Sequence, residues 1–186
     1  MLRYLPNALT FLRLLLALPL GYLILRQEYG LALVVGFVAG LTDALDGFAA
    51  RKIGYFSQFG AALDPVADKI LVTITVICFA SVELIPWWVA ITIITRDLVI
   101  VSGALCYRLL IGSFTFGATA LSKLNMVIQI CFCVLLLAAQ LYGEIPAILI
   151  DGAIYVVLAI AIVSGLDYVV TWSRKALAQK RGANSE

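Results

Sequence analysis

The stretch from Asp43 to Asp68 reads DALDGFAARKIGYFSQFGAALDPVAD and places four aspartates between long apolar segments. Asp43 and Asp46 are three residues apart, and Asp64 and Asp68 are four residues apart. Both spacings put a pair of carboxylates on one face of a helix. Because the segment between the two pairs is short, we expect two antiparallel neighbouring helices whose four carboxylates converge at similar depth.

Converging carboxylates repel one another unless positive charge lies between them. Arg51 and Lys69 could neutralise part of this charge in a salt-bridge cluster within the protein. Divalent cations would do so better, since hard cations prefer oxygen ligands and are often bound by carboxylates together with substrate phosphates. The pattern therefore favours a site for two ions, Mg²⁺ or Mn²⁺, because both metals accept carboxylate oxygens.

The composition places this site in a membrane protein. The chain has 186 residues, of which 63% are hydrophobic and 13% charged, whereas a soluble domain is about half apolar and a quarter charged. These values exclude a soluble globular enzyme, a disordered protein and, with a net charge of only +2, a nucleic-acid binder. Histidine is absent, so catalytic triads and metal sites that need histidine are excluded.

Six apolar runs predict an all-α integral membrane protein with six transmembrane helices and a polar cavity, since each crossing takes about 20 residues. The predicted spans are 8–25, 31–50, 61–82, 86–111, 117–142 and 146–172. They form one domain over residues 1–186 with a flexible tail from about residue 179. The first run is interpreted as a retained helix rather than a signal peptide, because Arg13 and Pro19 interrupt it.

The distribution of basic residues predicts the orientation of the chain. With six spans both termini share one side, and most of the basic residues lie there: Arg3, Arg51, Lys52, Arg108, Arg174, Lys175, Lys180 and Arg181. Such an excess marks the cytoplasmic side. We therefore expect both termini in the cytoplasm. The compact chain and the missing transit peptide predict location in a bacterial inner membrane.

Other ionisable residues fall within the apolar runs. Charge at membrane depth is costly, so Arg96, Asp97 and Lys123 support a polar cavity between the helices. Asp151 and Asp167 have no carboxylate neighbour at helical spacing, and a structural role is favoured for them.

The motif as a whole resembles the signature of the CDP-alcohol phosphatidyltransferases at eight positions. It reads Asp43-x-x-Asp46-Gly47-x-x-Ala50-Arg51, eight residues, Gly60-x-x-x-Asp64-x-x-x-Asp68. The resemblance implies six transmembrane helices around a cytoplasm-facing metal site, and assembly as a homodimer. It also implies a reaction in which an acceptor hydroxyl attacks the lipid-side phosphate of a CDP-linked lipid and CMP leaves.

The resemblance further implies roles for individual residues. The four aspartates would bind the two ions, and Asp68 would also be the catalytic base that takes the acceptor proton. The residues expected to contact the CDP group are Asn7, Thr10, Gly47, Arg51 and Ser57. For Asn7 and Thr10, helix capping is an alternative role.

Two later segments bear on the acceptor. Thr95-Arg96-Asp97, and Ser122-Lys123-Leu124-Asn125 followed by Gln129, resemble the eukaryotic-type cardiolipin synthase branch of the family. The branch that uses glycerol 3-phosphate usually carries a second lysine where this chain has Asn125. Loss of that charge suits phosphatidylglycerol, a monoanionic diester, better than the nearly dianionic glycerol 3-phosphate.

The sequence therefore predicts transfer of a phosphatidyl group from CDP-diacylglycerol to phosphatidylglycerol, with membrane lipids as the surroundings. Glycerol 3-phosphate is the alternative acceptor. The residues expected to contact the acceptor or its phosphate are Arg96, Arg108, Lys123 and Asn125. For Arg96, a local pair with Asp97 or Asp68 is the alternative. A proton-coupled transporter is a remote alternative, since buried carboxylates also mark ion pathways, but no inverted repeat is seen.

Overall fold

A computed structural model describes the backbone of residues 5–53, 58–111, 120–143 and 145–183. It describes the side chains of residues 11–42, 69–103, 120–143, 145–172 and 174. These parts of the chain contain six helices and no strand. The helices are α1 (Leu5–Leu25), α2 (Tyr29–Ile53), α3 (Gln58–Ser81), α4 (Trp87–Ile111), α5 (Ala120–Tyr142) and α6 (Ala147–Ala183). Each predicted span corresponds to one helix, and the all-α prediction is confirmed.

Among the described residues, two helical segments are long and apolar enough to cross a membrane. They are Ala120–Tyr142 in α5 and Ala147–Trp172 in α6. Large apolar side chains lie on the outer faces of the helices, including Phe37 at 72% exposed and Ile148 at 77% exposed. Exposed large apolar side chains in such number suit contact with lipid. The structure is thus consistent with a membrane protein, and crossing by all six helices stays a prediction.

The chain divides into two compact units, of which the first comprises Met1–Trp87 and Cys133–Pro146. In this unit α1 packs against both α2 and α3. Gly21 on α1 marks the approach to α3. A Cβ atom at this position would lie 2.9 Å from Ile74 Cγ2 and 3.2 Å from Cys78 Sγ. Small residues allow membrane helices to approach closely, so Gly21 sets the distance between these two helices.

Helices α1 and α3 end in the same type of turn. Gln27 and Glu83 have left-handed backbone conformations, with φ values of 60° and 61°. The next residues, Glu28 and Leu84, each donate a backbone N–H to the carbonyl five residues earlier, at 2.9 Å. This is the Schellman arrangement, in which glycine usually occupies the left-handed position. Both helices therefore stop sharply without a glycine.

The second unit comprises Trp88–Phe132 and Ala147–Glu186. In it, Gly103 of α4 faces α6, where a Cβ atom would lie 3.3 Å from Tyr168 Cε1. The sixth span was predicted to end at Trp172, whereas the helix continues to Ala183. The residues after Trp172 include alanine, leucine, lysine and arginine, which are good helix formers outside lipid as well. The helix thus includes residues 179–183 of the segment predicted as a flexible tail.

Candidate active site

The four aspartates of the motif lie on two helices of the first unit. Asp43 and Asp46 are on α2, and Asp64 and Asp68 are on α3. The helical backbone gives each pair the spacing of one helix face, as the sequence predicts. Their side chains lie outside the described residues, so the convergence of the four carboxylates stays a prediction.

No cluster of metal-ligating side chains occurs among the side chains that the structure describes. The four predicted ligands fall outside that set. The metal site stays a prediction.

The predicted CDP contacts are also assigned to the first unit. Asn7 and Thr10 lie within α1, which begins at Leu5, and Gly47 and Arg51 lie on α2. Asn7 is thus inside the first turn and does not occupy the N-cap position, which weakens the capping alternative. The side chains of these four residues, and the whole of Ser57, lie outside the described part of the chain.

Arg96 is the centre of a buried hydrogen-bond network in the second unit. Its guanidinium donates hydrogen bonds to Asp97 Oδ1 at 2.6 Å and to Ser122 Oγ at 3.2 Å. Nε and Nη2 also donate to Ser164 Oγ, at 3.1 and 3.0 Å. Arg96 is only 8% exposed. A buried cation requires such partners, and these bonds join α4, α5 and α6.

The local pair between Arg96 and Asp97, an alternative in the sequence analysis, is therefore present in the structure. Ser164 is a site residue that sequence reasoning missed. Its hydroxyl is wholly buried, accepts from Arg96 and donates to the Ala161 carbonyl at 3.1 Å. A serine in an apolar helix commonly bonds only to its own backbone, so its sequence context carried no signal of the contact with Arg96.

Two buried amides continue the polar face of α5 beyond Ser122. Asn125 is completely buried and Gln129 is 4% exposed. Neither Oδ1 nor Nδ2 of Asn125, nor Nε2 of Gln129, has a hydrogen-bond partner among the described residues. Positions 122, 125 and 129 fall on one helix face. This face of α5 therefore presents unfilled hydrogen-bonding groups.

The remaining charged candidates lie in different surroundings. Lys123 is exposed, and its position two residues from Asn125 puts it on another side of α5. The Arg108 side chain is outside the described set. Asp151 is exposed near the start of α6, and Asp167 is half-buried. The structural role favoured for Asp151 and Asp167 stays a prediction.

Comparison with known proteins identifies relatives over most of the chain. The sequence model of the CDP-alcohol phosphatidyltransferase family matches residues 3–167. A cardiolipin synthase (CMP-forming) of Rattus norvegicus is 38% identical over 159 residues, which cover 77% of this chain and 53% of that protein. The corresponding Homo sapiens protein is 37% identical with the same coverage.

A third relative acts on a different acceptor according to its name. The CDP-diacylglycerol–glycerol-3-phosphate 3-phosphatidyltransferase of Bacillus subtilis (strain 168) is 32% identical over 138 residues, which cover 73% of this chain and 69% of that protein. The chain spans about half the length of the two cardiolipin synthases that it matches.

Proposed function

Since this chain belongs to the CDP-alcohol phosphatidyltransferase family, we propose that it transfers a phosphatidyl group from CDP-diacylglycerol to phosphatidylglycerol, releasing CMP and forming cardiolipin. The family match supports this type of reaction, because the matched residues include both aspartate pairs. The acceptor rests on the neutral Asn125 in the α5 segment and on the similarity to two cardiolipin synthases.

We assign the donor chemistry to the four aspartates. Carboxylates at helical spacing on α2 and α3 have the oxygen chemistry that two Mg²⁺ or Mn²⁺ ions need. Bound ions would neutralise phosphate charge at the scissile bond. Phosphoryl-group transfer depends mainly on such neutralisation and on positioning, so no covalent protein nucleophile is required.

Asp68 has the role of general base in this proposal. An alcohol is a weak nucleophile, and a carboxylate that takes its proton assists the attack. A chain without histidine leaves aspartate as the natural choice. Asn7, Thr10, Gly47, Arg51 and Ser57 are assigned to the CDP group.

On the acceptor side, the structure favours different roles for the two main candidates. Arg96 is engaged by three neighbouring side chains, and we assign it to positioning of α4, α5 and α6. Asn125 has open hydrogen-bonding capacity and is assigned to acceptor contact. Lys123 and Arg108 remain candidates for contact with a lipid phosphate. The proposal places the protein in a bacterial inner membrane with both termini in the cytoplasm.

Transfer to glycerol 3-phosphate is the second candidate function. The Bacillus subtilis relative supports it, because the name of that protein gives glycerol 3-phosphate as the acceptor.

An acceptor-choice assay tests the proposal. Purified full-length chain receives CDP-diacylglycerol and Mg²⁺ with phosphatidylglycerol or glycerol 3-phosphate, and CMP and lipid products are measured. Cardiolipin formed only with phosphatidylglycerol is the expected result. Phosphatidylglycerophosphate formed only with glycerol 3-phosphate would keep the reaction class and overturn the acceptor. Absence of CMP release with both acceptors would contradict the reaction class and leave the transporter alternative.

Two aspartate variants test the catalytic base. Asp68→Asn should abolish CMP release while circular dichroism remains unchanged. Asp151→Asn is the matched control, because Asp151 is an exposed carboxylate on α6, and it should retain activity. Near-normal turnover by Asp68→Asn would refute the assigned base.

A further inference from the structure

The buried face of α5 carries two unpaired amides and a serine that is hydrogen-bonded to Arg96 of α4. Ser122 accepts a hydrogen bond from Arg96. Asn125 and Gln129 follow on the same face at one and two helical turns. Both amides are more than nine-tenths buried, and both carry donors without a partner among the described residues.

The Arg96 guanidinium next to this face is already paired with a carboxylate. Arg96 donates to Asp97, Ser122 and Ser164, so its charge is balanced by the neighbouring carboxylate and its donors point at fixed acceptors. Lys123 is exposed on another side of the helix. The two amides therefore offer hydrogen bonds without a charge of their own, which suits an uncharged polar group better than a phosphate.

A primary amide both donates and accepts hydrogen bonds, as a hydroxyl group does. An unpaired amide is unfavourable in a buried site, whereas an apolar side chain of the same shape would be tolerated or stabilising. The cost is greater in a membrane, where water does not fill the missing bonds. Two such amides one turn apart are best explained by a ligand that completes their hydrogen bonds.

We infer that Asn125 and Gln129 form a hydroxyl-recognition subsite for the head group of the acceptor lipid. The inference rests on the proposed function, in which phosphatidylglycerol is the acceptor. Its head-group glycerol carries a terminal hydroxyl, which attacks the donor, and a secondary hydroxyl, which does not react. The amide pair binds the secondary hydroxyl and so selects a polyol head group.

Two acceptors that differ by one hydroxyl test the subsite. Phosphatidyl-1,3-propanediol retains the terminal hydroxyl of phosphatidylglycerol and lacks the secondary one. The unchanged protein should prefer phosphatidylglycerol by about tenfold in kcat/KM, equivalent to about 1.4 kcal/mol. In Gln129→Met and Asn125→Leu this preference should fall towards unity, while the KM for CDP-diacylglycerol stays the same.

Gln140→Met is the matched control, because Gln140 is an exposed glutamine on the same helix. It should retain the preference of the unchanged protein. If Gln129→Met and Asn125→Leu lose activity equally with both acceptors and keep the tenfold preference, the amides have a structural role and the inference is overturned.

Thermal unfolding in phosphatidylcholine nanodiscs provides a readout that does not need turnover. Without acceptor, Gln129→Met should unfold at or above the temperature of the unchanged protein, because an unpaired buried amide has been removed. Phosphatidylglycerol in the disc should raise the unfolding temperature of the unchanged protein more than phosphatidyl-1,3-propanediol does. This difference should vanish in Gln129→Met and persist in Gln140→Met.

The two readouts separate the inference from the proposed function. If the unchanged protein forms no cardiolipin but shows the acceptor-dependent difference in unfolding temperature, the proposed function fails and the subsite stands. If it forms cardiolipin but both lipids shift the unfolding temperature equally, or Gln129→Met unfolds at a lower temperature, the subsite is refuted and the proposed function stands. If the unchanged protein forms no cardiolipin and both lipids shift its unfolding temperature equally, the proposed function and the subsite are both refuted.

Discussion

Replacing Ser164 by alanine removes the only hydroxyl of α6 that binds Arg96 in the described part of the chain. Ser164 Oγ accepts from Nε at 3.1 Å and from Nη2 at 3.0 Å. Hydrogen bonds that involve a charged group contribute about 1.5–3 kcal/mol each. Because both bonds share one acceptor, we expect Ser164→Ala to lower the free energy of unfolding by about 2–4 kcal/mol, less than the sum of two separate bonds.

Ser102→Ala is the matched control. The Ser102 hydroxyl is exposed and bonds only to carbonyls of its own helix, Leu98 at 2.7 Å and Val99 at 3.2 Å. Its removal should change the free energy of unfolding by less than about 0.5 kcal/mol. Unfolding by dodecyl sulfate in mixed micelles, followed by circular dichroism, measures both variants. Equal effects of the two substitutions would refute the conclusion that Ser164 anchors Arg96.

Three further changes test other features of the molecule. Gly21→Ala should destabilise the protein by about 1–3 kcal/mol through overpacking against Ile74. Its control, Gly40→Ala, has no heavy atom within 4 Å of the new Cβ and should stabilise the protein by about 0.5–1 kcal/mol. Similar unfolding temperatures for the two variants would contradict the close approach of α1 and α3. Glu83→Gly should raise the free energy of unfolding by about 1 kcal/mol, because glycine adopts the left-handed φ without strain. A lower unfolding temperature of this variant would contradict the left-handed turn at the end of α3. Chelation of divalent cations should stop CMP release and added Mg²⁺ or Mn²⁺ should restore it, so activity that persists in excess chelator would contradict the metal site.

Much of the fold was predictable because apolar segments have to be helical in lipid. The predicted fourth span, 86–111, differs from α4 by one residue at its start. The continuation of α6 to Ala183 was missed because hydropathy marks where lipid contact ends and not where helix propensity ends. The turns at Gln27 and Glu83 were also not predictable, since neither residue is the glycine that usually marks such turns.

The site was predictable where its residues are close in sequence. The aspartate spacing was sufficient to predict that two helices each carry a pair, and the adjacency of Arg96 and Asp97 suggested their pairing. Ser164 lies 68 residues from Arg96, and no local pattern connects the two. The lack of hydrogen-bond partners for the Asn125 side chain could not be predicted from the sequence either, because it depends on which polar groups the surrounding helices place near it.

The ion pair between Arg96 and Asp97 also has a consequence for the insertion of the nascent chain. The ribosome makes α4 long before Ser164, which lies 68 residues further along. During that interval the guanidinium has no hydroxyl from α6, and an unaccompanied arginine enters lipid reluctantly. Asp97 is synthesised immediately after Arg96 and bonds to it at 2.6 Å, so in the predicted crossing by α4 the arginine would have its counter-ion from the start. For a membrane-inserted α4, the order of the chain would thus pair the arginine with Asp97 first, and Ser164 would add its hydrogen bonds only after α6 is made.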